Sequence, residues 1–176
     1  MSISTRRGDS GETDLLFGKR VPKNHPRVAC CGAVDELNAQ LGVVRSAEVS
    51  DELSDCIDGI QNRLVGLMGE VATDSEDHQK YKERAYQGIS QADVEWLDSI
   101  VRELEDEKGH RFRGWSRPGK AGAIAGAYLD VARTVCRRSE LVSWEIEDDY
   151  LSVARQFLNR LSDVLWLLAR VRDVED

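Results

Sequence analysis

The residues best suited to chemistry lie between Ala132 and Leu141, written ARTVCRRSEL. At 3.6 residues per helical turn, Arg133, Arg137 and Glu140 fall at i, i+4 and i+7, on one stripe of a helix. Val131, Val135 and Val142 mark a second, apolar stripe that can face a core. Two interpretations of the polar stripe are open. It is a solvated charged face whose Arg137–Glu140 pair contributes only ~0.2–0.5 kcal/mol. Alternatively, it is an anion clamp, because guanidinium groups offer planar, permanently charged donors that match phosphate oxygens.

A second basic concentration lies in or beside residues 1–25: Arg6, Arg7, Lys19, Arg20, Lys23 and Arg27. Gly8, Gly11 and Gly18 break regular structure there, and Thr5, Asp9, Ser10, Thr13 and Asp14 favour turns. This stretch reads as an ordered but irregular arm, whose backbone N–H groups and hydroxyls can approach phosphates closely. It is not a P-loop, since G-x-x-x-x-G-K-[ST] occurs nowhere, and no G-x-G-x-x-G follows a strand. The formal net charge of −8 argues against general nucleic-acid or anionic-membrane binding. A polyanion site must therefore be a local basic concentration on an acidic protein.

The elements that position these groups follow from hydrophobic spacing. The chain has 176 residues, 41% hydrophobic and 32% charged, which fits one domain (1–176) with a sizeable core. The expected architecture is all-α: an arm over 1–25, then five helices in an up-down bundle over 26–173. Pro26 opens the first helix, which ends near Ala47 and carries Asp35 and Asn38 off its apolar stripe. Asp35 there reads as an exposed helical acid or a site residue. Ser50 caps the second helix, which ends near Ala72. Asp74 to Gln87 reads as a solvated connection with His78 exposed. Ser90 and Asp93 open the third helix, and Gly109 stops it. Phe112 and Trp115 in the following loop either tuck into the core or wall a ligand.

The fourth helix runs from Gly119 to about Trp144, and its small residues allow close backbone approach. The fifth, about Asp149 to Val171, is ringed by leucines and should be central. Asn159 and Asp163, at i and i+4, would then be buried polar groups that need basic partners or a ligand. Cys30, Cys31, Cys56 and Cys136 show no C-x-x-C pairing and read as reduced, buried thiols. No run approaches the ~20 apolar residues of a membrane span, and no apolar leader is visible, so a cytoplasmic protein without membrane or nucleic-acid partners is expected.

The arm TRRGDSGETDLLFGKRVPKNHPRV, followed in order by VDELN, ARTVCRRSE and FLNRLSDVLW, resembles the PduO-type ATP:cob(I)alamin adenosyltransferases. The resemblance spans nearly the whole chain. It implies a five-helix bundle, a homotrimer and active sites shared between adjacent subunits. It also implies a reaction, in which the 5′-deoxyadenosyl group of ATP moves to the cobalt of cob(I)alamin and triphosphate leaves. ATP with Mg²⁺ and cob(I)alamin would be the substrates and metal. A corrinoid reductase and an adenosylcobalamin-dependent enzyme would be possible partners.

Carried over residue by residue, the resemblance implies that Thr5, Arg6, Arg7, Gly8, Thr13 and Lys23 wrap ATP from the arm. Arg137, Arg138 and Glu140 would hold the nucleotide from the fourth helix, and Asn159 from the fifth. Arg137 would also serve catalysis with Asp35 and Arg133, the latter two pairing across subunits beside the corrinoid. Asp163 would orient Arg133 or Arg137. Where the family has F-x-x-P-G-G, its phenylalanine crowding the lower corrinoid face, this chain reads WSRPGK. Trp115 then takes the phenylalanine's place, with Phe112 the second candidate. Asp130 stands where the family often has histidine, Arg7 where threonine is common, and Asp14 where a small residue is usual. Asp14 would weaken ATP binding or help place Mg²⁺. The alternative function is a non-catalytic carrier or regulator that binds ATP or adenosylcobalamin. A helical scaffold without a small-molecule site is a third.

Overall fold

The structure, a computed structural model, describes residues 4, 6–47, 49–107, 109, 114, 116–120 and 124–172. Thr5, Phe112 and Trp115 lie outside the described residues.

Helix starts follow local capping chemistry. Pro26 occupies the first turn of α1 (Pro26–Arg45), where its missing N–H costs nothing, and the Arg27 N–H donates to His25 Nδ1 at 3.2 Å. In α2 (Asp51–Val71) the Leu53 N–H donates to Ser50 Oγ at 3.3 Å. A full capping box opens α4 (Gln91–Arg102), with the Ser90 N–H donating to Asp93 Oδ2 at 2.9 Å. The helical path then continues as a π-turn over Glu103–Glu107. After the loop come α5 (Ile124–Ser143) and α6 (Ser152–Arg172).

Directional hydrogen bonds reveal how the long helices pack. Gln61 Nε2 donates to the Asn38 carbonyl at 3.0 Å and Cys31 Sγ to the Met68 carbonyl at 3.6 Å, so α1 and α2 run antiparallel. Ser139 Oγ donates to the Ala33 carbonyl at 2.9 Å, and Arg27 pairs with Asp148, which sets α5 antiparallel to α1. Cys136 Sγ donates to the Leu158 carbonyl at 3.2 Å, and Arg170 bonds Asp130, which does the same for α5 and α6. Small buried residues on α5, among them Ala125, Ala132, Cys136 and Ser139, permit these close contacts. One hydrophobic cluster runs through the bundle, from Val34, Leu37 and Leu41 to Ile60, Leu64, Phe157 and Leu161.

Three expectations need correction. The described residues hold six α-helices rather than five, because the stretch expected to be a solvated connection forms α3 (His78–Glu83). Tyr81 buries itself there at 4% exposure, which anchors an otherwise polar segment. The arm is not wholly irregular either: β1 (Glu12–Asp14) pairs antiparallel with β2 (Arg20–Pro22), Thr13 opposite Val21. Finally, Val131 does not face the core, being 45% exposed, while Val135 does at 5%.

Candidate functional site

The arm is built around its own charges. Arg7 and Arg20 converge on Asp14 at 3.0 and 3.4 Å, and Arg20 also reaches Glu12 at 3.3 Å. Asp14, expected either to repel a triphosphate or to place a metal, is thus already held by two guanidinium groups. Gly8 packs closely on Lys23: a Cβ there would stand 3.1 Å from Lys23 Nζ, the far end of a flexible side chain. Gly11 turns the chain with φ of +84°, and its carbonyl accepts the Lys23 N–H at 2.9 Å. These contacts bring Arg7, Gly8 and Lys23 together on the ribbon that carries Thr13. Arg6 sits just before them.

The ribbon is fastened to the end of α2. The Leu16 N–H donates to the Ala72 carbonyl at 2.9 Å, and Lys19 Nζ bridges Asp74 and Glu76 at 2.9 and 3.2 Å. Burial pushes the Asp74 carboxyl up, but the hydrogen bonds from Lys19 and from the Glu76 N–H outweigh it and hold the group below its ordinary range. Beneath this joint lies buried Arg27, which donates to the Val71 carbonyl at 2.8 Å, pairs with Asp148 and lies over the Tyr150 ring. His78, expected to be exposed, is half-buried and stacked on Tyr150 with ring centroids 3.9 Å apart. Burial holds its imidazole below the ordinary histidine range.

On α5 the arginines differ in surroundings. Arg133 is half-buried, its Nε donating to Asp130 Oδ1 at 3.3 Å. Arg138 is exposed and paired with Glu36 of α1. Arg137 is exposed and has no hydrogen bond or ion pair among the described residues. The Arg137–Glu140 pair does not form, since Glu140 Oε1 instead accepts the Trp144 indole N–H at 3.1 Å. The helix end is held by buried Arg155, whose Nη2 donates to the Ser143 carbonyl at 3.1 Å, one of the orphan carbonyls of the last turn.

The expectation for α6 is overturned. Asn159 and Asp163 are both exposed, as are Ser152 and Gln156. These four form one solvent stripe on a helix whose other described side chains are buried or half-buried. Asp163 therefore orients neither Arg133 nor Arg137; it meets Arg160 at 3.3 Å within its own helix. Asp35 is exposed on α1, without an ion pair or hydrogen bond among the described residues. Sequence reasoning noted Asp130 only as a departure from the family pattern, and missed both its burial, at 3% exposure, and Arg170, which bonds it from α6. The i, i+3 spacing of Asp130 and Arg133 was the only local signal.

Cys30 and Cys31 are not activated nucleophiles. Burial pushes the Cys30 thiol up to about 12 and the Cys31 thiol to about 11, which keeps both protonated at neutral pH. Among the described residues, no group of three or more His, Cys, Asp and Glu side chains could hold a metal ion. None of the described helices is long and apolar enough to cross a membrane. The arrangement suits binding of anions and stabilisation of a negatively charged leaving group.

Comparison with known proteins agrees with that chemistry. The model of the family described as Cobalamin adenosyltransferase matches residues 3–172. The corrinoid adenosyltransferase PduO of Salmonella typhimurium is 35% identical over 175 residues, 98% of this chain and 50% of that protein. A corrinoid adenosyltransferase of Citrobacter freundii is 35% identical over 173 residues, 97% of this chain and 94% of its own. The chain thus spans about half the length of the PduO relatives it matches. A variant PduO-type ATP:corrinoid adenosyltransferase from Lactobacillus reuteri, solved with cobalamin and ATP, superposes with a TM-score of 0.81 at 30% identity, covering 96% of this chain and 92% of that one. The chain belongs to the cobalamin adenosyltransferase family.

Proposed function

We propose that the protein is an ATP:cob(I)alamin adenosyltransferase. The Co(I) electron pair attacks C5′ of ATP, the cobalt–carbon bond forms, and the C5′–O bond breaks with its electrons leaving on triphosphate. The protein's share of this reaction is orientation and electrostatics. The observation that carries the proposal is Arg137, exposed and without a partner among the described residues, one turn beyond the anchored Arg133, in a chain of this family.

In this assignment Thr5, Arg6, Arg7, Gly8, Thr13 and Lys23 wrap the triphosphate from the arm. Arg137, Arg138 and Glu140 hold the nucleotide from α5, and Asn159 does so from the open stripe of α6. Mg²⁺ arrives with the triphosphate, whose oxygens are its preferred ligands. Trp115, with Phe112 second, stands on the corrinoid side with Asp35 and Arg133. Among the described residues Arg133 donates from its Nε to Asp130, and in this assignment its Nη groups meet Asp35 of a neighbouring subunit.

A homotrimer with shared sites completes the proposal. It is supported by apolar side chains left open on α5: Ile124, Val131 and Leu141 are 61%, 45% and 65% exposed. The test is an anaerobic assay with ATP, Mg²⁺ and chemically reduced cob(I)alamin, followed by visible spectroscopy. Adenosylcobalamin formed by the wild type and lost in Arg137→Ala supports the transferase. ATP binding without turnover supports a carrier or regulator. Absence of both sinks the functional assignment.

A further inference from the structure

The corrinoid side of the site has an internal support. Asp130 on α5 is 3% exposed and uses both carboxylate oxygens. Its Oδ1 accepts from Arg133 Nε at 3.3 Å, and its Oδ2 accepts from Arg170 Nη2 near the end of α6. The Arg170 fork extends further, its Nη1 donating to the Ser116 carbonyl at 3.4 Å. Ser116 belongs to the WSRPGK stretch. One buried carboxylate thus joins a candidate catalytic arginine, a second helix and the backbone of the corrinoid loop.

We propose that Asp130 and Arg170 are positioning residues for the transferase reaction: they fix the Arg133 guanidinium and couple it to the loop at Ser116. The proposal rests on the transferase assignment above. Arg133 is only half-buried, while Asp130 and Arg170 are buried, so the support lies inside and the guanidinium it holds reaches toward the surface. A guanidinium pinned at Nε cannot swing freely, so its outward fork is set before a partner arrives. Such preorganisation matters because a misplacement of ~1 Å at a reacting site can cost on the order of 100-fold in rate. Lysine could not replace Arg170, because a compact ammonium lacks the rigid fork that spans Asp130 and Ser116.

The test uses the full chain, with ATP and cob(I)alamin kinetics measured separately. In Asp130→Asn, kcat/KM for cob(I)alamin should fall ~10–100-fold, the range seen when a supporting partner of a site group is lost. The ATP dissociation constant, read by calorimetry, should stay unchanged. Asp130→Glu should restore part of the loss. Combining Asp130→Asn with Arg133→Ala should add little to Arg133→Ala alone, because both act through one group. If Asp130→Asn fails to fold, Arg170→Lys tests the same coupling with the charge retained, and the same selective loss is expected. Equal damage to ATP and corrinoid parameters, fully multiplicative effects, or unchanged kinetics in a folded variant would overturn the positioning role. A wild type without turnover would instead overturn the transferase assignment itself, and the positioning role with it.

Discussion

Arg133 and Arg137 lie one turn apart on the same helix, and their surroundings are opposite. Arg133 is half-buried and pinned by Asp130, which is itself held by Arg170. Arg137 is exposed, with no hydrogen bond or ion pair among the described residues. A guanidinium pinned from within a subunit has its orientation fixed, and its removal disturbs the fold. A guanidinium left open adds little to the fold and keeps its donors for a ligand. In the proposed assignment, identical side chains serve two ends of one site by differing in what already holds them.

That contrast is broken most directly through stability. In Arg170→Met, Asp130 stays buried with Arg133 as its remaining cation and one oxygen without its donor, and unfolding free energy should fall ~1–3 kcal/mol in a denaturant titration. Arg137→Ala should change it by less than ~0.5 kcal/mol, as for a surface residue without partners. Its effect should fall on ATP instead. Loss of a charge-assisted bond of ~1.5–3 kcal/mol weakens ATP binding about 10- to 150-fold by calorimetry. Equal stability losses in the two variants would erase the distinction.

The sequence made this contrast half visible. The caps at Ser50 and Ser90 and the proline at the start of α1 were legible because capping is local chemistry. The open stripe Ser152, Gln156, Asn159, Asp163 had regular helical spacing, yet the density of leucines around it suggested a helix buried on all sides. The three-residue strands of the arm are too short for an alternating pattern to register. Asp130 and Arg133 are three residues apart and could be paired by eye. Arg170 lies 40 residues from Asp130, and only the antiparallel packing of α5 on α6 brings it there.

A milder test compares a held group at the arm joint with the open ones. His78 is stacked on Tyr150, and burial lowers its folded pKa from the ordinary 6.5. Between those two values the unfolded chain binds more protons, so stability rises with pH there and is lost as pH falls from 6.5 toward the folded value. His78→Phe keeps a ring against Tyr150 but cannot titrate. Thermal unfolding measured across this window should show a shallower pH slope in the variant, and an unchanged slope would mean that His78 is not the group responsible.

The smallest effect separates Arg138 from both neighbours. Its pair with Glu36 is exposed on both sides, 53% and 57%, so it contributes only ~0.2–1 kcal/mol. If Arg138 binds nucleotide, Glu36 competes with the triphosphate for it. Glu36→Gln should then tighten ATP binding, by no more than about fivefold. The gain should shrink as ionic strength rises above ~0.15 M, where exposed charges are screened beyond ~8 Å. A loss of affinity in Glu36→Gln would have the opposite meaning: Glu36 would hold Arg138 in place for its ligand, and Arg138 would resemble the pinned Arg133 rather than the open Arg137.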